Sequence, residues 1–275
     1  MRIPWLHPKR TLDPGVFPVK LIEVSARQLV LLTLVPLGLF ADEPAVRTAV
    51  EPKSLPAPDQ AVAEHKPSIT RLDDGRMKIG EITFDPKTRE IRFPAEVNMD
   101  EGLLEFVLVH RDGKIHESLL LTGISPTELN IAIKLLHYKA SRELYLKLDE
   151  DGSLGSEFES ATAEEKEGSR MKLSFEWQDG GTTKTVSAND WISHATTEKP
   201  MPNAAWIYGG SFVADGKFVA ESSGDIIAIF LSNAAMINFS GRDNRDDEVW
   251  LPHATRVPEV GTPVTVVLSP FESKK

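Results

Sequence analysis

The sequence predicts an α+β fold: one β-rich domain of mostly antiparallel strands, with a single well-marked helix at about residues 125–138. Three observations carry this reading. Short apolar runs bounded by Gly, Pro, Asn and Asp recur from Arg76 to Leu268, which is the mark of strands joined by turns. Ser125-Pro126-Thr127-Glu128 is a capping box with Pro at the first helical position, and an apolar stripe at helical spacing follows it. Many strands beside one or two helices, with no internal repeat, belong to the α+β class.

The elements follow in chain order. Leu29 to Ala41 reads LVLLTLVPLGLFA, with Arg27 before it and Asp42-Glu43-Pro44 after it. A positive charge, an apolar run of about a dozen residues and a small residue before polar sequence form the signal-peptide pattern. A membrane span needs about 20 apolar residues, so the run is short for one. A buried core helix or an uncleaved anchor is the competing reading. Met1 to Glu23 carries four prolines and no periodicity, a poor leader, and a start at Val24 would give an ordinary signal peptide. The expected location is therefore export, to the periplasm or beyond the cell, with no membrane attachment after cleavage. Residues 42–71 are rich in Pro, Ala, Glu and Lys without periodicity and read as a disordered linker.

The folded domain is expected over 72–271. Strand signals run through Arg76–Phe84, Glu90–Asn98 and Leu103–Val109, with the turn Asp85-Pro86-Lys87-Thr88 between the first two. Arg111-Asp112-Gly113-Lys114 is the strongest hairpin signal, because Asp-Gly supplies the positive φ angles of a tight turn. In the helix, Leu129, Ile133 and Leu136, with Ala132 and Leu135 beside them, face the core. Residues 149–169 hold eight carboxylates against Lys166 alone and few apolar side chains, so a mobile acidic loop is expected there. Weak calcium binding or an acidic interaction arm is the functional alternative. Strands resume at Lys172–Trp177 and Thr183–Ser187, then at Ala205–Val213 and Phe218–Glu221. Asp225–Leu231 is a continuous apolar run suited to a strand covered on both faces. Ser232–Asn238 reads as a short helix, and Val264–Leu268 as the last strand.

From about Gly75 to Pro270 the chain resembles the YdjY-type domain of exported bacterial proteins. The stretches that carry the likeness are ITFDPKTREIRFPAEVNM, HESLLLT, SPTELNIAIKLL, DGGTTKTVSANDWI and GSFVADGKFVAESSGDIIAIFLSNAAMIN. The resemblance implies export and assigns no activity. Some members of that family carry a ferredoxin-type label, which implies redox company. This chain has no cysteine, so a self-ligated iron–sulfur cluster is not available to it and the label is not transferred.

Composition narrows the function classes. The net charge of −10 and the lack of a basic run argue against nucleic acid as a partner. Without cysteine there is no disulfide, thiolate ligand, cysteine nucleophile or lipid attachment at cysteine. A two-residue loop at Asp112-Gly113 would pair Leu108 with Glu117 and place His110 and Glu117 on the core face, as diagonal neighbours about 7–8 Å apart. A carboxylate facing a core needs a partner, so either the two residues pair or Glu117 meets an Arg, a metal or a ligand. A bulged three-residue loop would instead set His110 beside His116 and Lys114, and the apolar pattern favours the first register. Candidate binding residues are thus His110, His116, Glu117 and Asp225, with His110 and Glu117 as weak metal candidates. Trp206 and Tyr208, with Trp191, either line a groove for sugar or peptide or fill the core.

No nucleophile motif, cofactor fingerprint or short metal spacing appears. The favoured expectation is a non-catalytic binding or accessory module of the cell envelope, with an envelope protein or a small molecule as partner and no cofactor. The alternative is a metal-dependent enzyme or redox accessory protein centred on Glu117 and His110, its metal held by His and carboxylate.

Overall fold

A computed structural model of the protein describes residues 68–272. The expected export signal ending near Ala41, the Val24 start and the linker as far as Pro67 lie outside the described residues.

Eight strands close into a barrel: β1 (Glu90–Val97), β2 (Phe106–His110), β3 (Ser118–Thr122), β4 (Arg170–Asp179), β5 (Trp206–Tyr208), β6 (Asp225–Ala228), β7 (Ile237–Phe239) and β8 (Pro263–Pro270). Around the wall the order is β1-β8-β4-β5-β7-β6-β2-β3, and β3 returns to β1 through Glu96↔Leu121 and Val97↔Leu120. The class is therefore all-β, and the α+β expectation is overturned by this closure. The helices form no layer of their own: α1 (Pro126–Leu135), α2 (Ala163–Gly168) and α3 (Val219–Ser223) are short elements between strands. Closure depends on pairing first and last strands, such as Phe93 with Val266, and no local pattern announces it.

Alternation explains the inside of the wall. Ile91 and Phe93 of β1, Met171, Leu173 and Phe175 of β4, and Val264, Val266 and Leu268 of β8 are buried at every second position, as a half-buried strand requires. The intervening positions are more polar, and Arg92 reaches across β8 to Glu176 with two N–H···O bonds of 2.8 Å. α1 adds Leu129, Ala132 and Ile133 to the same core. Its Ser125 hydroxyl caps it by accepting from the Glu128 N–H, and His137 ends it by entering the left-handed region at φ 59°.

Two of the eight pairings are parallel, β2 with β3 and β6 with β7. The first corrects the expected hairpin. Phe106 pairs with Ser118 and His110 with Thr122, and the chain runs back between the strands through a 3₁₀ turn at Ile115–Glu117. Neither Asp112 nor Gly113 takes the positive φ that a two-residue hairpin turn demands. The second replaces the expected helix at 232–238: the chain turns and enters β7 at Ile237.

A three-strand meander, Ile69–Arg71, Met77–Ile79 and Ile82–Asp85, extends the sheet from the first half of β1. Its first strand falls inside the segment read as linker up to residue 71. Residues 149–169, expected as a mobile loop, include one strand of an antiparallel pair and a capped helix. Leu146–Leu148 pairs with Leu154–Phe158, tied by Lys147 to Glu157 at 2.9 Å. Thr162 and Glu165 then form a reciprocal capping box at the start of α2. Among the described residues no helix is long and apolar enough to cross a membrane.

Candidate functional site

Loops leaving β2, β6 and the acidic hairpin surround a cleft of about 430 Å³. Its walls are apolar: Phe106, Leu146, Leu148, Phe212, Phe230 and Leu231 line it, with Leu154 at the rim. Leu148 and Leu154, cross-strand partners in the acidic hairpin, are 64% and 55% exposed and together extend the apolar surface of the cleft.

The segment from Phe230 to Ala235 forms one wall and is fixed from several sides. The Asn233 side chain accepts from the Leu146 N–H at 3.0 Å and donates to the Leu146 carbonyl at 2.8 Å. The Tyr145 hydroxyl donates to the Ala235 carbonyl and accepts from the Ser211 N–H, both at 2.8 Å. The Ser211 hydroxyl donates to the Ala234 carbonyl at 2.6 Å. Buried Asn238 accepts from the Ser232 N–H and donates to the Ser232 carbonyl. Gly209 lets the Tyr145 ring approach, since a Cβ there would fall 2.3 Å from it.

Polar groups gather at one end. α3 stops at Gly224, φ 78°, and β6 opens at once with Asp225, whose side chain is 2% exposed. One carboxylate oxygen, Oδ2, meets the Lys114 Nζ at 3.6 Å and the Ser232 hydroxyl at 3.4 Å. The other, Oδ1, is buried with no hydrogen-bond partner among the described residues. Burial pushes the Asp225 carboxyl above the ordinary carboxylate range, and Lys114 and Ser232 pull it back only in part. Lys114 and Ser232 themselves line the cleft, and the Lys114 ammonium lies 4.7 Å from the centre of the Phe106 ring.

Glu105, also lining the cleft, has its carboxyl pushed up by burial and by the charge of Glu117, against the pull of Lys114. The two acids are neighbours because the Glu105 N–H donates to the Glu117 carbonyl at 3.0 Å. The Glu105 carbonyl in turn accepts from Ile229 and Phe230 and joins this strand end to the cleft wall. At the other end Arg142 stands 3.7 Å from Glu159.

Asp225 and Glu117 therefore fall in one region of the molecule, around Lys114 and Glu105. His110 does not join them. Parallel pairing sets Glu117 next to the start of β2 and His110 at its end, where the ring accepts from the Asp112 N–H at 3.2 Å. His116 is exposed on the 3₁₀ turn. Trp206 and Tyr208 are both fully buried; the indole N–H donates to Asn189 and the phenol hydroxyl to Asn130. Among the described residues no three His, Asp or Glu side chains are placed to hold a metal ion. Lys114, Glu105 and Tyr145 escaped the sequence reading, and only the sharp entry of Asp225 into an apolar run hinted at this end of the cleft.

The charge on Asp225 opposes folding, which gives a test. Its carboxyl keeps its proton to higher pH in the folded state than in the unfolded chain. The penalty is absent below the unfolded value of 3.8, where both states are protonated, and grows as pH rises through the folded value. Asp225→Asn is expected to stabilise the domain by about 1 kcal/mol at pH 8, because a neutral amide costs less to bury than a carboxylate of the same shape. Urea denaturation should show that advantage shrinking towards pH 4. An advantage independent of pH would mean that the carboxylate is not the cause.

The YdjY domain family model matches residues 82–269. No curated protein and no solved structure matches the chain.

Proposed function

The chain belongs to the YdjY domain family, and from that premise we propose that it is an exported, non-catalytic binding module of the cell envelope that holds a small molecule with an apolar body. The observation that carries this is the cleft itself. About 300–1,000 Å³ of mostly apolar lining with a few convergent polar groups is the usual form of a small-molecule site, and this cleft has about 430 Å³ of it. The side-chain bonds that fix residues 230–235 supply the second requirement, a wall that need not be ordered on binding. The apolar run Leu29–Ala41 supports export. The metal-enzyme reading needs His110 and Glu117 in one place, and the β2–β3 pairing sets them apart.

A neutral fluorescent probe, N-phenyl-1-naphthylamine, tests the proposal. It should bind the purified domain, and Phe212→Asp together with Leu148→Asp should weaken binding at least tenfold. Each apolar contact is worth about 1 kcal/mol and tenfold is about 1.4 kcal/mol. Both side chains are partly or largely exposed, so the thermal midpoint should hold within a few degrees. A probe that ignores the domain, or binds the variant as well as the parent, would defeat the proposal.

A further inference from the structure

We propose that the ligand of this cleft carries a protonated amine on its apolar body, and that the amine takes the place of the Lys114 ammonium beside Glu105 and Asp225. The inference rests on the cleft being a binding site and adds the chemistry of the head group. The cleft end is short of positive charge. Asp225 meets Lys114 at 3.6 Å, the charges of Glu117 and Asp247 both reach Glu105, and among the described residues Lys114 is the one cation that answers them. At the other end Arg142 already faces Glu159. The rim is acidic as well: the hairpin beside it carries Asp149, Glu150, Asp151 and Glu157 against Lys147.

The one cation in the middle is loosely held. The Lys114 Nζ is 3.6 Å from Asp225, longer than an N–H···O bond, and its side chain is half exposed on a turn. It can swing to solvent at little cost. Asp225 Oδ1 is buried and lacks any donor, an unmet need that an ammonium with two or three N–H groups fills and a carboxylate or ether cannot. Ser232 beside it can turn its hydroxyl to the same guest. The acids do not make a metal cage, since no three of them converge on a point among the described residues.

Displacement of the neutral naphthylamine probe by octylammonium, octanoate and octanol, equal in chain length, decides the matter. Octylammonium should displace the probe at concentrations at least tenfold below octanoate, with octanol between them. Lys114→Met should strengthen octylammonium several-fold relative to octanol. Glu105→Gln combined with Glu117→Gln should remove most of the preference. A preference for octanoate that vanishes in Lys114→Met would overturn the inference, making Lys114 the reader of an anion, and so would equal potency of the three heads. The ranking on the parent protein alone is decisive if a variant fails to fold. A probe that never binds defeats the cleft reading and this assignment with it, whereas a bound probe without charge preference defeats only the assignment.

Discussion

Gly224→Ala is expected to destabilise the domain by about 3 kcal/mol, from left-handed strain of about 1–2 kcal/mol plus overpacking of about 1–3 kcal/mol. Gly224 has φ 78°, and a Cβ there would fall 2.8 Å from the Cα of Gly113 and 3.3 Å from the Cβ of His110. Backbone cannot swing aside as a side chain can. The Gly224 carbonyl also accepts from the His110 N–H at 2.8 Å, so a shift would disturb the β2–β6 junction and the next residue, Asp225. Gly216→Ala is the control: its φ is 73°, yet nothing lies within 4 Å of the added carbon. It should lose only about 1 kcal/mol, the conformational part. Equal losses in urea denaturation would mean that the close approach carries no energy.

That contact also shows why the Asp112-Gly113 signal misled. Glycine serves two ends, a positive φ and a surface without a side chain, and sequence does not say which. Here Gly113 serves the second, against Ser223 and Gly224, more than a hundred residues away in the chain. Where the demand was local, sequence was legible. The turn at 85–88 forms as expected, joining Asp85 to Glu90. The Ser125 cap and the buried stripe Leu129, Ala132, Ile133 and Leu136 needed only their own neighbours, whereas Leu135, read with that stripe, is 46% exposed. Barrel closure and the two parallel pairings needed partners distant in sequence or a return path, and neither leaves a periodic mark.

The candidate site divides in the same way. Asp225 could be found because a carboxylate opening a buried run is anomalous by itself. Glu117 was singled out for a reason that failed, the assumed hairpin; its backbone carbonyl accepts from Glu105, which lines the cleft while Glu117 stands behind it. Lys114 could not be found, because a lysine on a turn is the commonest of surface features. In residues 149–169 acidic composition masked the Thr162-x-x-Glu165 box, a local signal that was there to be read.

Tyr145→Phe is expected to destabilise the domain by about 3 kcal/mol and to weaken the naphthylamine probe about tenfold. Losing the hydroxyl leaves two backbone groups unpaired, the Ala235 carbonyl and the Ser211 N–H, at about 1–3 kcal/mol each. Both residues are buried, so water cannot readily replace the bonds. The ring itself would stay against Gly209, which keeps the change confined to the hydroxyl. The affinity loss follows because Ala235 closes the Phe230–Ala234 wall, and a wall that must be ordered on binding costs affinity. Tyr208→Phe separates the two effects. Its hydroxyl meets Asn130 of α1, away from the cleft lining, so it should lose about 1 kcal/mol of stability and no probe affinity. If Tyr145→Phe unfolds more easily yet binds the probe as the parent does, the fixed wall contributes to folding alone, and binding must be carried by the apolar contacts and the polar end of the cleft.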